Sequence, residues 1–221
     1  MEFVTTADGS KTLFNAEVGE HYHSKHGAQQ ESVHVFLNTG LKHFLERDAQ
    51  KDASILEIGF GTGLNFLMTA DYCLKEQIGL HYMGIEAYPL AKEVIEQTGY
   101  DAYVSREIWL EFVYKYPIAL QEQVKFNRQM GWGIAHQKVI DFQTTDRYDV
   151  IYFDAFAEVH QPEMWTPETL AHVCSFLKPG GVFVTYAITG NLKRTMKALG
   201  FRIEKAPGAP GKREMLRATK L

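Results

Sequence analysis

Cys73 and Cys174 are the only cysteines in 221 residues, and they lie far apart in the chain. That excludes a disulfide-dense secreted scaffold, and both are expected to be reduced core thiols of a cytoplasmic protein. No apolar run approaches the roughly 18 residues that a membrane-spanning helix requires, so no membrane partner is expected. The opening stretch, MEFVTTADGSKTLF, lacks the basic and apolar regions of a signal peptide. Positive charge is scarce too. The net charge of −4 provides no global attraction to nucleic acid, so such a partner must meet a local basic patch. Repeats, low-complexity tracts and linkers are missing. What is present is an ordinary globular composition, 45% hydrophobic, on a chain long enough to bury a sizeable core.

The residue pattern alternates strands with helices. FVTT, an Asp8-Gly9 turn and KTLFN predict an N-terminal hairpin. Val33, Phe36, Leu37, Leu41, Phe44 and Leu45 follow at helical spacing. SILEI predicts a strand, then a glycine turn and a helix to about Glu76. LHYMGIEA predicts a second strand, with Pro89 at the first position of a helix reaching about Thr98. The aromatic-rich residues 100–123 are expected to be helical, broken near Pro117. KVIDF and YDVIYFD are two further short strands, and Thr166 with Pro167 opens a helix. KPGGVFVTYA is a turn and strand, NLKRTMKAL a basic helix ended by Gly200, and the tail a strand pair around a Gly/Pro loop. This order predicts an α/β fold with a doubly wound, mostly parallel sheet and an antiparallel terminal strand. Residues 1–50 are expected to form a hairpin-and-helix extension and 51–221 the main domain.

The stretch ILEIGFGTGLNF, residues 55–66, carries the first chemistry. A dinucleotide fingerprint, G-x-G-x-x-G, needs a glycine at 64, where Leu64 stands. The pattern is instead E-x-G-x-G-x-G, with Glu57 ahead of Gly59, Gly61 and Gly63 and with Asn65 and Phe66 opening the helix. An acid before the turn suits a cationic amine better than a pyrophosphate. Glu86, ending the second strand, is placed for ribose hydroxyls. Asp141, ending KVID, is placed for an adenine amino group. A nucleoside with an amino-acid tail and no phosphate describes S-adenosylmethionine, and the terminal strand pair matches the one closing class I (Rossmann-like) methyltransferase sheets. The plainer reading is a set of ordinary βα turns with solubilising acids, which the glycine triplet alone would leave open.

A second motif, YFDAFAEVHQPEMWTPE at 152–168, places Asp154 and Phe156 ahead of Pro162-Glu163-Met164-Trp165. With GFGTGLNF at 59–66, GKREML at 211–216 and HYHSKHGAQQESVHVF at 21–36, the chain resembles the methyltransferases that complete 5-methylaminomethyl-2-thiouridine at the tRNA wobble position. These are the single-domain MnmD type and the methyltransferase half of MnmC. Two departures stand out: Ala155 replaces the family's glycine after the acid, and EVHQ at 158–161 replaces the usual Pro-Ala-Lys-Asn. Nothing resembles the flavin-dependent oxidase half of the fused enzymes, so a separate enzyme is expected to supply the aminomethyl group.

The resemblance implies S-adenosylmethionine-dependent methylation of the primary amine of 5-aminomethyl-2-thiouridine. Asp154, carried over from the family's acid, would take or share the amine proton. Tyr22, Phe156, Pro162, Trp165 and Tyr186 are candidates to hold an extruded base, although core packing is the commoner role of any single buried aromatic. Lys193, Arg194 and Lys197, with Lys212, Arg213 and Arg217, are candidates for a basic face on the anticodon arm; a solvated surface is the plain alternative for each. His21, His23 and His26 are a weak match to a zinc site, and hydrogen bonding at the cofactor mouth is the expected role. Two rival functions use the same fold: methylation of a small-molecule amine or hydroxyl, and a catalytically inactive cofactor-binding module.

Overall fold

The computed structural model describes residues 2–48 and 50–221. β1 (Glu2–Thr5), β2 (Lys11–Asn15) and β3 (Glu20–His21) form a small antiparallel sheet, with Gly9 supplying the positive φ its turn requires. A helix follows, starting as α1 (Ala28–Glu31), widening over Ser32–Lys42 and finishing as α2 (His43–Asp48). The wide stretch is wound with i→i−5 bonds, such as His43 N–H to the Asn38 carbonyl, and Thr39 Oγ1 donates to the His34 carbonyl at 2.8 Å. Val35, Phe36 and Leu41 join Leu13, Ile55, Leu64 and Tyr152 in one hydrophobic core. The N-terminal residues and the large sheet therefore share one core.

The main sheet contains β4 (Asp52–Ile58), β5 (Gly79–Glu86), β6 (Val124–Lys125), β7 (Met130–His136), β8 (Tyr148–Phe153), β9 (Leu177–Thr185), β10 (Phe201–Pro207) and β11 (Glu214–Lys220). Its order is β10-β11-β9-β8-β4-β5-β7-β6. Strands β9, β8, β4, β5 and β7 run parallel, while β11 is antiparallel between β9 and β10. Helices α3 (Leu64–Lys75), α4 (Lys92–Glu96) and α5 (Arg106–Ala119) cover one face; α6 (Pro167–Ser175) and α7 (Gly190–Ala198) cover the other. This doubly wound arrangement follows from right-handed crossovers that leave β4 and β8 in opposite directions across the sheet. Alternation along β4 sends Ile55 to the α3 face and Leu56 and Ile58 to the α6 face.

Several local expectations change. KVIDF is not a strand: Val139–Asp141 form a single tight turn, and the strand lies earlier at Met130–His136. Gly131 and Gly133 weaken its strand signature; a Cβ at Gly133 would come within 3.2 Å of Gln123 Cγ, so close packing explains that glycine. Pro89 precedes α4 instead of opening it, because the chain stays extended through Ala91. Pro117 lies inside α5, in its last turn, where the missing N–H interrupts little of the helix.

Gly63 and Gly200 both have left-handed backbones, with φ of +79 and +84. A Cβ at Gly63 would lie 2.6 Å from Phe112 Cζ, whereas one at Gly200 would have nothing within 4 Å. Gly200→Ala should therefore cost about 1–2 kcal/mol from conformation alone, and Gly63→Ala a further ~1–3 kcal/mol from overpacking. Denaturant unfolding of the two variants measures the difference; equal losses would mean that Phe112 yields freely.

Candidate active site

Parallel pairing aligns Ile58 of β4 with Phe153 of β8, so the next residues, Gly59 and Asp154, leave the sheet side by side. Asp154 N–H donates to the Ile58 carbonyl at 2.9 Å, and a Cβ on Gly59 would sit 2.5 Å from the Asp154 carbonyl oxygen. Only glycine permits this approach. The strand order reverses between β4 and β8, where open α/β sheets bind ligands beyond the strand carboxyl ends. A cavity of about 710 Å³ opens there.

Glu86 shapes one wall. Its carboxylate accepts from Gly61 N–H at 2.9 Å and from Tyr88 N–H at 3.0 Å, holding the glycine turn against the end of β5. Tyr22 covers the turn: a Cβ at Gly61 would meet its Cδ1 at 2.8 Å. Behind it, the buried His23 shares a 2.9 Å hydrogen bond with Thr62, and burial pushes its imidazole down to about 4. His21 packs at a tilt against Phe14 with ring centres 4.8 Å apart, and a Cβ at Gly211 would lie 2.5 Å from His26. Among the described residues no group of histidines, cysteines and acids is arranged to hold a metal ion.

The opposite wall is acidic. Burial pushes the Asp154 carboxyl up to about 8, and the negative charges of Glu31 and Glu20 act in the same direction. The Asn65 hydrogen bond and the positive charge of Lys212 oppose the rise. Glu20 accepts from Ala157 N–H at 2.8 Å and so ties the small N-terminal sheet to the loop after β8. Glu31, whose side chain is 7% exposed, pairs with Lys212 at 3.2 Å. The Lys212 ammonium also lies 3.8 Å from the centre of the Tyr186 ring. Tyr186 in turn donates to the Ala155 carbonyl at 2.9 Å.

Of the residues singled out from sequence, Gly59, Gly61, Glu86, Asp154, Tyr22, His21, His23, Phe156, Tyr186 and Lys212 line the cavity. The others lie elsewhere. Glu57 is buried under the turn, accepting from Asn65 at 2.8 Å and from Tyr82 at 2.7 Å. Phe66 stacks on Trp132 at 4.4 Å in the core, and Gly63 caps α3. Asp141 is exposed outside the cavity, whose wall there is Gln137–Ile140, because its segment is a turn and not a strand end. Trp165 is turned inward: its indole donates to the Phe156 carbonyl at 2.7 Å and its ring meets Phe153 edge-on at 5.0 Å, pinning the loop. Pro162 and Arg213 are exposed and outside the cavity wall. Glu20 and Glu31 were missed. Glu31 carried a signal, standing one helical turn before Val35 on a buried face where an unpaired acid is costly.

Comparison with known proteins now bears on this geometry. A family model described as S-adenosyl-L-methionine-dependent methyltransferase matches residues 104–221. The chain belongs to this family. The tRNA 5-methylaminomethyl-2-thiouridine biosynthesis bifunctional protein MnmC of Magnetococcus marinus is 31% identical over 212 residues, covering 89% of this chain and 30% of that protein. Its namesake from Leptospira borgpetersenii is 30% identical over 206 residues, covering 88% and 31%. The chain thus spans about a third of the length of these curated relatives. The crystal structure of MNMC2 from Aquifex aeolicus shares the fold, with TM-score 0.76 and 21% identity over 98% of this chain and 69% of that one.

The cofactor of this methyltransferase is S-adenosylmethionine, and the residues present suit it. Glu20, Glu31, Glu86 and Asp154 line a space suited to a sulfonium cation, while Gly59 and Gly61 keep their side of it free of side chains. S-Adenosylhomocysteine should therefore raise the melting temperature, as a ligand preferring the native state must. Nicotinamide dinucleotides should not. Gly61→Val, strained at φ +51 and pressed into Tyr22, should abolish the shift. A retained shift in this variant would place the cofactor elsewhere.

Proposed function

We propose that this methyltransferase N-methylates the primary amine of 5-aminomethyl-2-thiouridine at the tRNA wobble position, giving 5-methylaminomethyl-2-thiouridine and S-adenosylhomocysteine. The observation that carries this reading is the seating of Asp154: a carboxyl with a raised pKa, backed against the glycine turn and facing an acid-lined cavity. The relatives, named for tRNA 5-methylaminomethyl-2-thiouridine biosynthesis, support the nucleoside. Gly59, Gly61 and Glu86 would hold the cofactor, which supplies an electrophilic methyl group when bound. An alkylammonium has no lone pair, so Asp154 accepts a proton from it and orients the freed nitrogen. Asp154 would thereby present a neutral nitrogen to the methyl group that the cofactor would supply, the bonding electron pair leaving with sulfur. In-line approach at about 3 Å is the near-attack geometry this requires.

Tyr22, Phe156 and Tyr186 present ring surface to the cavity and would hold an extruded base. Residues 1–50 act as an extension that roofs the substrate end of the 51–221 domain through Tyr22, Glu20 and Glu31. Lys193 and Arg194 of α7, with Arg213, would meet the phosphates of the anticodon arm. Oxidative formation of the aminomethyl group belongs to a different active site. Among the described residues no helix is long and apolar enough to cross a membrane, and a tRNA substrate would place the reaction in the cytoplasm. Nucleoside mass spectrometry of tRNA from cells lacking this protein tests the assignment: the unmethylated aminomethyl nucleoside should accumulate.

Asp154→Asn should lower turnover by about 10²-fold or more while leaving S-adenosylhomocysteine affinity nearly unchanged. Because Asp154 in the ligand-free site rises to about 8, wild-type kcat/KM should increase with pH through that region. Bound cations favour the carboxylate, so kcat should hold to lower pH. Residual activity of the variant should follow the substrate amine's own deprotonation. Turnover at the wild-type level in the variant at neutral pH would remove Asp154 from the chemistry.

Lys193→Glu with Arg194→Glu should weaken tRNA binding and flatten its salt dependence, since each lost phosphate contact reduces the slope by about one. Unchanged affinity would make α7 a solvated face.

A further inference from the structure

A polar chain runs from the hydrophobic core to Asp154. Tyr82, on β5, and Glu57, on β4, are fully buried, and Tyr82 donates its hydroxyl hydrogen to Glu57 Oε2 at 2.7 Å. The other Glu57 oxygen accepts from Asn65 Nδ2 at 2.8 Å, and the same amide nitrogen donates to Asp154 Oδ2 at 2.8 Å. An amide nitrogen carries two hydrogens, so one serves each carboxyl group. Asn65 is 2% exposed, and among the described residues its buried Oδ1 has no hydrogen-bond partner. Buried polar groups are costly, and an unpaired one calls for an explanation. Apolar residues at 57, 65 and 82 would avoid that cost, and the chain of bonds leads to Asp154.

We propose that Asn65 is a positioning residue for Asp154, clamping Oδ2 so that Oδ1 faces the substrate amine, with Glu57 and Tyr82 locking the amide in its donating orientation. Rotation of the amide by half a turn would set Oδ1 against two carboxyl oxygens, so the lock is electrostatic as well as steric. The clamp rests on the reading of Asp154 as the proton acceptor and adds a second effect: donation to the carboxylate favours its charged form. The groups facing Asp154 from each neighbouring element are Glu31 from α1, Glu20 from β3, Glu57 from β4, Tyr186 beyond β9 and Lys212 from the β10–β11 loop. Asn65, from α3, is the neutral donor among them.

Asn65→Ala and Tyr82→Phe test the clamp in the full chain. The Asp154 carboxyl is followed by carbon NMR of aspartate-labelled protein, its resonance assigned by its loss in Asp154→Asn. Asn65→Ala should raise the Asp154 titration by roughly one pH unit, and Tyr82→Phe should raise it less, in the same direction. The acid limb of kcat/KM should move with it, so Asn65→Ala recovers most of its lost activity at high pH. The S-adenosylhomocysteine melting shift should persist in both variants. An unmoved titration in Asn65→Ala, or activity lost equally at every pH, would overturn the proposal. If Asn65→Ala does not fold, Tyr82→Phe decides, and an unmoved titration there overturns it. The NMR measurement needs no substrate, so a failure to methylate tRNA would count against the proposed function and not against the clamp.

Discussion

The contact on which the site depends is the pairing of β4 with β8 at their carboxyl ends. Asp154 N–H reaches the Ile58 carbonyl, and the absent side chain of Gly59 lets the two backbones meet. That contact places the glycine turn and Asp154. It sets the glycine turn beside the acid and points both out of the sheet where the crossovers diverge, leaving a gap that no helix fills. A side chain on Gly59 would push Asp154 away and change the cavity at its centre.

Around that contact the chain concentrates acids from distant segments: Glu20 from the small sheet, Glu31 from the first helix, Glu86 from β5 and Asp154 from β8. Burial raises the affinity of Asp154 for its proton, and the negative charges of Glu31 and Glu20 add to the rise. The overall charge of −4 is a poor guide to this local field. A cavity of this kind gains from cations, which suits both a sulfonium and an alkylammonium. Lys212 tempers the field, reaching Glu31 across 181 residues of sequence and resting on Tyr186.

The aromatic residues divide by the same logic. Tyr22, Phe156 and Tyr186 line open space, while Trp165 and Phe66, equally eligible by residue type, fill the core. Trp165 illustrates how a loop motif gains a structural role. Its indole needs a hydrogen-bond partner when buried, and the Phe156 carbonyl provides one, tying the two ends of the segment from 156 to 165 together.

Local physics made much of the architecture readable from sequence. Glycines at 59, 61 and 63 can be followed into a turn because positive φ is cheap only for glycine, and each of them has it. The hairpin turn at Asp8-Gly9, the amphipathic helix through Phe36 and Leu41, the Thr166 cap and the terminal strand pair also declare themselves within a few residues. Direction and partnership did not. Glu57, Asn65 and Phe66 stand in the motif but point beneath the turn, because strand alternation and helix rotation bury that face against Tyr82 and Trp132. Asp141 lost its expected place when KVIDF became a turn, and Glu31 gained one only when α1 was laid beside the hairpin that carries Lys212. Such contacts join segments that share no local pattern, so their geometry was decided by how the sheet and its crossovers pack in three dimensions.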